Sequence, residues 1–536
     1  MTLVRVPIRV LRSPPFPGVD PAVATIEAAA ADERDADPKL RQTPASEMVR
    51  AAVGGTFWGR RVVGRARLIV TDGDPPGADL SDAVVVATGD VRAARRRGAL
   101  VVASGEFDPW PLIVAARTVT APSASEIAAL ALAAGKPVTN PAGMEIVDAD
   151  RLVARALGDR YRDPFTGGII GVEAAIALLA HWRALIDANR GISAATGMAF
   201  WKRSEVARLL WDGRPSKLPF LKPDAAIARA RREGGAVAAW PARVPADFAE
   251  RAMAAGVPVR WVEDGFLRSA GLGSDLLPPL SLIVDDLWPY FDPARPSRLE
   301  TLLQTTEFGT DLLARAATLR RTIVERRIGK YRVGGVAESL DLPADARLVV
   351  VIGQVEDDLS VLRGGGGLTN LSVIERARAE EPNAFIVYRP HPDVEAGHRK
   401  GAIPDPVALA LVDRIDRGGS LDALLARAAA LHTLTSLTGF EALMRGVRVV
   451  VHGGPFYAGW GLTEDRGAPF PRRTRQLTLD QLVAVALILY PRYLDARTGL
   501  PCTPEQFTEG FGGVGVHGGW LVRLRRWQGR VRRLFG

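Results

Sequence analysis

The chain holds one cysteine, Cys502, in 536 residues. An internal disulfide is therefore excluded, and with no secretory signal at the start the expected compartment is a reducing cytoplasm. The opening MTLVRVPIRVLRSPPFPG has a short basic and apolar stretch broken by prolines. It has neither the apolar length nor the small-residue cleavage site of a signal peptide. No stretch approaches the roughly 18 uncharged apolar residues of a membrane-spanning helix. The six histidines (181, 391, 398, 432, 452, 517) show no metal-ligand spacing. The glycine run 364–367 lacks the Walker pattern.

What is present fits a multi-domain soluble-type chain. At 47% hydrophobic and 24% charged it can bury sizeable cores, and its length implies two or three domains. Net charge is +9, and the stretch 519–536 contributes six arginines without an acid. There Trp520, Leu524, Trp527, Val531 and Leu534 follow one helical face. A basic amphipathic helix of this kind fits an anionic membrane surface, or it docks on the protein's own core. No recognition motif or stacking surface supports nucleic acid.

Residues 1–50 read as an irregular lead-in. From 51 to 170 short apolar runs alternate with helical patterns, as in a small α/β unit. A two-lobed pattern follows. In 190–330, the runs 235–240 and 257–262 read as strands around a helix over 246–255. In 331–505, the near-continuous apolar run 347–352 is of the kind that parallel strands show when buried on both faces. Strands over 384–388, 431–434 and 447–452 alternate with helices over 370–380, 421–430 and 440–445. This predicts a doubly wound sheet and a cleft between two lobes. One internal repeat stands out. Arg160-Tyr161-Arg162-Asp163-Pro164-Phe165-Thr166-Gly167 matches Arg492-Tyr493-Leu494-Asp495-Ala496-Arg497-Thr498-Gly499 at five of eight positions. It reads as the closing signature of two tandem modules, the first truncated and without catalytic motifs.

Five motifs lie at or near the ends of apolar runs, where open α/β sheets bind ligands. Glu263-Asp264-Gly265-Phe266-Leu267-Arg268-Ser269 offers a carboxylate for general acid/base work, or simply a turn. In Gly353-Gln354-Val355-Glu356-Asp357-Asp358, one acid suits a nucleophile or a stabiliser of a cationic sugar transition state, unless the acids bind a divalent metal. Arg389-Pro390-His391-Pro392-Asp393 presents an imidazole and a guanidinium suited to a phosphate or carboxylate, or a packed loop. Thr435 and Ser436 precede a helix, where hydroxyls and amides favour a phosphate. Glu441, read in that helix's first turn, caps it or reaches a ribose diol. The loop Tyr457-Ala458-Gly459-Trp460-Gly461 either stacks on a base or sugar or packs beneath the cleft.

Together EDGFLRS with GLGSDL, GQVEDD, PHPDV, TSLTGFEAL, PFYAGWGLTED and LYPRYLDARTGLP resemble the KpsC/LipA type of bacterial capsule protein over about 190–505. The resemblance implies an α/β fold: a GT-B-like pair of Rossmann-type doubly wound domains, here preceded by a small truncated α/β module. It implies a retaining β-Kdo transferase with CMP-Kdo as donor and no metal or other cofactor. The implied acceptor is a Kdo glycolipid on lyso-phosphatidylglycerol, met at the cytoplasmic face of the inner membrane, with capsule assembly proteins as possible partners. Carried across by motif, Asp358 is the nucleophile with Asp357 its rival, and Glu263 is the acid/base with Asp264 beside it. His391 and Ser436 hold the CMP phosphate, with Gln354 and Thr435 on the same donor side, and Glu441 holds the ribose. Arg268 or Arg389 meets the sugar carboxylate, and Tyr457, Gly459 and Trp460 form an acceptor loop. Arg389 stands where lysine is expected. Only the second module is complete, which implies one linkage rather than two alternating ones. The competing readings are a GT-B transferase with another nucleotide sugar and a non-catalytic capsule assembly or export scaffold.

Overall fold

A computed structural model of the chain describes residues 9–26, 42–87, 89–103, 107–146, 148–267, 279–329, 343, 345–397 and 399–510. Two compact units are distinguished. The first comprises Met1–Gly191, Leu210–Leu218 and Thr498–Leu500; the second comprises Ile192–Leu209, Pro219–Arg497 and Pro501–Gly536. The basic helix expected over 519–536 lies outside the described residues, as does Arg268.

The first unit is built on a parallel sheet of β1 (Arg67–Thr71), β2 (Ala83–Ala87), β3 (Leu100–Ala103), β4 (Thr118–Thr120) and β5 (Val138–Thr139), in the order β3-β2-β1-β4-β5. All five residues of β2 are buried, as an apolar strand covered on both faces requires. The unit is larger than the expected 51–170. Val10, Leu11, Phe16 and Ile26 of the lead-in are buried, and Gly55 N donates to Val10 O at 2.7 Å. The helix Val172–Asn189 belongs to the unit as well. A short hairpin of β6 (Arg160–Arg162) and β7 (Ile169–Gly171) carries the first copy of the repeat.

The second unit has two lobes. In the first, β8 (Ile192–Thr196), β9 (Ala236–Ala239) and β10 (Val259–Asp264) are parallel. Beyond β10 the sheet turns antiparallel through β11 (Ser281–Asp285), giving the order β19-β18-β11-β10-β9-β8. Doubly wound geometry thus holds only over β8 to β10. The last two strands on that side, β18 (Pro491–Leu494) and the edge strand β19 (Pro501–Cys502), come from the stretch that the sequence pattern assigned to the other lobe.

The second lobe is fully parallel: β12 (Leu348–Ile352), β13 (Phe385–Arg389), β14 (Arg414–Ile415), β15 (Ala430–Thr433), β16 (Arg448–Val451) and β17 (Glu464–Asp465), in the order β14-β13-β12-β15-β16-β17. β12 is buried throughout. Val349 and Val351 pack with Val373, Ile374 and Ile386. Each such side chain stabilises the fold by about 1.5–3 kcal/mol. The chain leaves β12 toward β13 on one side and resumes on the other side at β15. The switch point between them opens a crevice at the carboxyl ends of the strands.

Candidate active site

A cleft of about 350 Å³ lies between the two lobes of the second unit. Its first wall carries Glu263 and Asp264 from the end of β10. Lys202 and Trp240 follow the ends of β8 and β9 and line the same wall. The Lys202 ammonium lies 2.8 and 3.0 Å from the two Asp264 oxygens and 3.8 Å from the Trp240 ring centroid. Asp264 therefore faces a cation, while its neighbour Glu263 lines the cleft beside it.

The second wall is made of loops that follow parallel strands. Gln354 and Asp358 follow β12, His391 follows β13, and Thr435 and Ser436 follow β15. Asp358 stands at the N-cap position of the short helix Leu359–Gly364 without a side-chain capping bond, is exposed, and accepts from Ser360 Oγ at 2.6 Å. Asp357, by contrast, is absent from the wall and pairs with Arg399 Nε at 3.1 Å. Desolvation acts to raise the Asp357 carboxyl, but the Arg399 hydrogen bond and charge outweigh it and hold the group below the usual carboxylate range. His391 Nδ1 accepts from Asp393 N at 3.1 Å, which sets the neutral ring as the Nε2–H tautomer. Ser436 caps the helix Leu437–Met444 and accepts from Thr438 N at 3.2 Å. This hydroxyl and helix N-terminus on the cleft wall suit an oxyanion.

Gln354 holds the switch point together. Its Oε1 accepts from Thr435 N at 2.8 Å and its Nε2 donates to Thr435 Oγ1 at 2.9 Å. Its backbone N donates to Asn370 Oδ1 at 2.9 Å. The amide thus joins the ends of β12 and β15, which leaves it a positioning group more than a donor ligand.

Several residues expected at the site lie elsewhere. Arg389 Nη1 donates to Asp416 and to Gly419 O at 2.8 Å, because the carboxylate at the end of β14 meets the guanidinium before any ligand does. Tyr457 and Trp460 are fully buried. Tyr457 OH donates to Ser436 O at 2.6 Å and Trp460 Nε1 to Phe456 O at 2.9 Å. They pack beneath the cleft rather than in it, and Gly459 turns the chain at φ +82° between them. Glu441 is buried in the second turn of its helix. The helix begins at Leu437, three residues before the expected start, and Glu441 is not on the cleft wall. A Cβ on Gly439 would lie 2.1 Å from Tyr457 OH, so that glycine serves the close approach of the loop. The run 364–367 is not in the wall either; Gly364 O accepts from Gly454 N at 2.7 Å.

The cleft floor joins motifs from both lobes. Phe266 stacks on Phe456 with centroids 4.3 Å apart. Arg473 fixes the Phe456 loop by donating to Pro455 O and Ala458 O at 2.8 and 2.6 Å, with Glu300 3.1 Å from its Nε. Lys202, Trp240 and Arg399 were not marked by any sequence motif. Among the described residues no group of three His, Cys, Asp or Glu side chains is arranged to hold a metal ion, and no helix is long and apolar enough to cross a membrane.

The first unit repeats the second lobe in reduced form. Its sheet order matches the first five strands of that lobe. The hairpin Tyr161 and the β18 residue Tyr493 are both buried and both donate to an upstream backbone carbonyl, of Leu157 and Leu487. Ser125 caps the helix Glu126–Ala133 as Ser436 caps its own. Counted from the matching strand ends and cap, however, Gln354, Asp358, His391 and Glu441 correspond to Gly73, Gly77, Gly89 and Leu130. The two sheets share a strand order, but the first unit carries none of these four polar side chains at the matching positions.

A family model described as capsule polysaccharide biosynthesis protein matches residues 235–333 and 310–493. The chain is 41% identical over 344 residues to the capsule polysaccharide modification protein LipA of Neisseria meningitidis serogroup A, covering 63% of this chain and 48% of LipA. It is 48% identical over 248 residues to the lipopolysaccharide-processing protein LpsZ of Rhizobium meliloti, covering 45% of this chain and 56% of LpsZ. The chain thus spans about half the length of these curated relatives. A solved structure of the Thermosulfurimonas dismutans KpsC β-Kdo 2,4 transferase is 31% identical, with a TM-score of 0.50, over 60% of this chain and 98% of that one. With six motifs in order on a GT-B-like pair of lobes, the chain belongs to the KpsC/LipA type of capsule polysaccharide biosynthesis protein.

Proposed function

We propose that the chain is a retaining glycosyltransferase that moves β-Kdo from CMP-Kdo to a lipid-anchored Kdo linker in capsule biosynthesis. The observation that carries this reading is the pairing of Asp358 and Glu263 on opposite walls of one cleft, each next to a carboxylate that already holds a cation. Retention by double displacement needs one carboxylate at the anomeric carbon and a second group at the acceptor hydroxyl. Asp358 attacks the anomeric carbon as the bond to CMP breaks, forming a glycosyl-enzyme ester. His391, Ser436 and the N-terminus of the helix Leu437–Met444 stabilise the departing phosphate. Glu263 then takes the proton of the acceptor hydroxyl, whose oxygen displaces Asp358. The two inversions leave the β configuration unchanged.

In this reading the acceptor is the Kdo glycolipid on lyso-phosphatidylglycerol, met at the cytoplasmic face of the inner membrane with the stretch 519–536 against anionic lipid. Capsule assembly proteins are the natural neighbours there. One complete module makes one linkage. The test is incubation with CMP-Kdo, generated in situ, and a synthetic β-Kdo-terminated acceptor, with the product read by mass spectrometry and NMR. One added β-Kdo is expected. Two alternating linkages contradict the single-module reading. An inert protein with intact CMP-Kdo, across other donors too, favours the scaffold.

A further inference from the structure

The cleft is lined by Glu263, Asp264 and Asp358, and Asp264 on one wall and Asp357 behind the other each hold a cation. On the second wall that cation is Arg399, the only arginine lining the cleft among the described residues. Its contact with Asp357 runs through Nε. Among the described residues its two terminal nitrogens have no other partner, and these form the fork that binds planar or tetrahedral oxyanions bidentately. The side chains of the pair are 39% and 41% exposed, and so open a salt bridge contributes little to stability. The backbone beneath is nonetheless fixed. Lys400 O accepts from Glu356 N at 3.1 Å, and Gly401 O accepts from Asn370 Nδ2 at 2.9 Å. Asn370 also brackets Gln354. Arg399 is thus carried on a segment tied to the same loop that presents Asp358. An exposed ion pair of little folding value, with its arginine on the cleft wall, has the makings of a ligand contact.

We infer that Arg399 is an oxyanion-binding residue of the donor subsite and that Asp357 is its positioning residue. This rests on the glycosyl-transfer reading above. The ligand chemistry is an anionic oxygen pair borne by the anomeric centre of the donor, either the leaving phosphate or the sugar carboxylate. Asp357 is thereby removed from the chemical step.

The full chain is titrated calorimetrically with CMP and with cytidine, and donor kinetics are measured alongside. Arg399→Ala is expected to cut the preference for CMP over cytidine about tenfold, the size of one charge-assisted hydrogen bond. That outcome assigns the phosphate. An unchanged preference with an about tenfold rise in donor KM and a retained kcat assigns the carboxylate. Asp357→Ala should produce a weaker version of the same change, and the double variant should be no worse than Arg399→Ala alone. Arg399→Lys should recover part of the loss, keeping charge without the fork. Wild-type values in both assays for Arg399→Ala, or loss of kcat at constant KM for Asp357→Ala, overturn the inference. A wild-type protein that neither binds CMP nor turns over overturns the glycosyl-transfer reading itself.

Discussion

Phe266 and Phe456 stack with ring planes 19° apart, one from each lobe, and both line the floor of the cleft. Phe266 also meets Tyr290 edge-on at 5.0 Å. Such a pair adds about 0.5–1.5 kcal/mol beyond the area it buries. It couples the motif that carries Glu263 to the loop braced by Arg473 and Glu300.

Phe266→Ala should therefore destabilise the protein by about 3–5 kcal/mol, and Phe266→Leu by less than half of that. Denaturant unfolding followed by tryptophan fluorescence measures both. Equal losses for Ala and Leu contradict a packing role for the ring.

Adjacent acids should behave differently. Asp358→Ala is expected to lower kcat on the order of 10⁴-fold with an unchanged unfolding midpoint, since the side chain is exposed. Asp357→Ala should keep its kcat. Steady-state transfer assays with circular dichroism decide it, and wild-type turnover in Asp358→Ala removes the nucleophile assignment.

The His432–His452 pair predicts a pH dependence of stability. Nδ1 of His432 and Nε2 of His452 are 3.1 Å apart, and both rings are buried. Burial and then His452 push His432 down to about 3. Burial, then Arg376 and Arg466, push His452 down to about 4. Below the ordinary histidine value of about 6.5 the unfolded chain binds protons that the folded chain does not. Stability should fall as pH drops from about 6.5 toward about 4, by up to about 1.4 kcal/mol per pH unit for each ring. Urea midpoints across that range measure the slope. A His432→Leu/His452→Met double variant that keeps the wild-type slope excludes the pair as its source.

The stretch 519–536, outside the described residues, should carry membrane affinity. Its deletion is expected to weaken sedimentation with anionic vesicles and to leave transfer to a soluble acceptor intact. Equal wild-type binding to anionic and neutral vesicles eliminates the electrostatic part.

Much of the second lobe was legible because β12 is an uninterrupted run of Leu, Val and Ile, and because motifs sit where such strands end. β8 was not legible. Ile192-Ser193-Ala194-Ala195-Thr196 is buried throughout, yet its small residues give no apolar run, and Lys202 beyond it went unseen for that reason. Arg399 has no local signature either, since its place depends on a backbone bond between Lys400 and Glu356. The early start of the helix Leu437–Met444 was hidden by Thr438 and Gly439, poor helix formers, of which Gly439 is required by Tyr457. Tyr457 and Trp460 could not be sorted from composition, because an aromatic loop under a cleft and one inside it share the same letters.

The return of β18 to pair with β11 sets an order of events in synthesis. The first lobe begins before the second, but its sheet lacks an edge until residues about 200 positions past β11 leave the ribosome, roughly 10–40 s later. The second lobe, with all its strands consecutive, can close in that interval. Until then the unpaired side of β11 is an exposed strand edge, a template for pairing with other chains. The lobe that offers Glu263 to the cleft is thus the last to have its whole sheet synthesised.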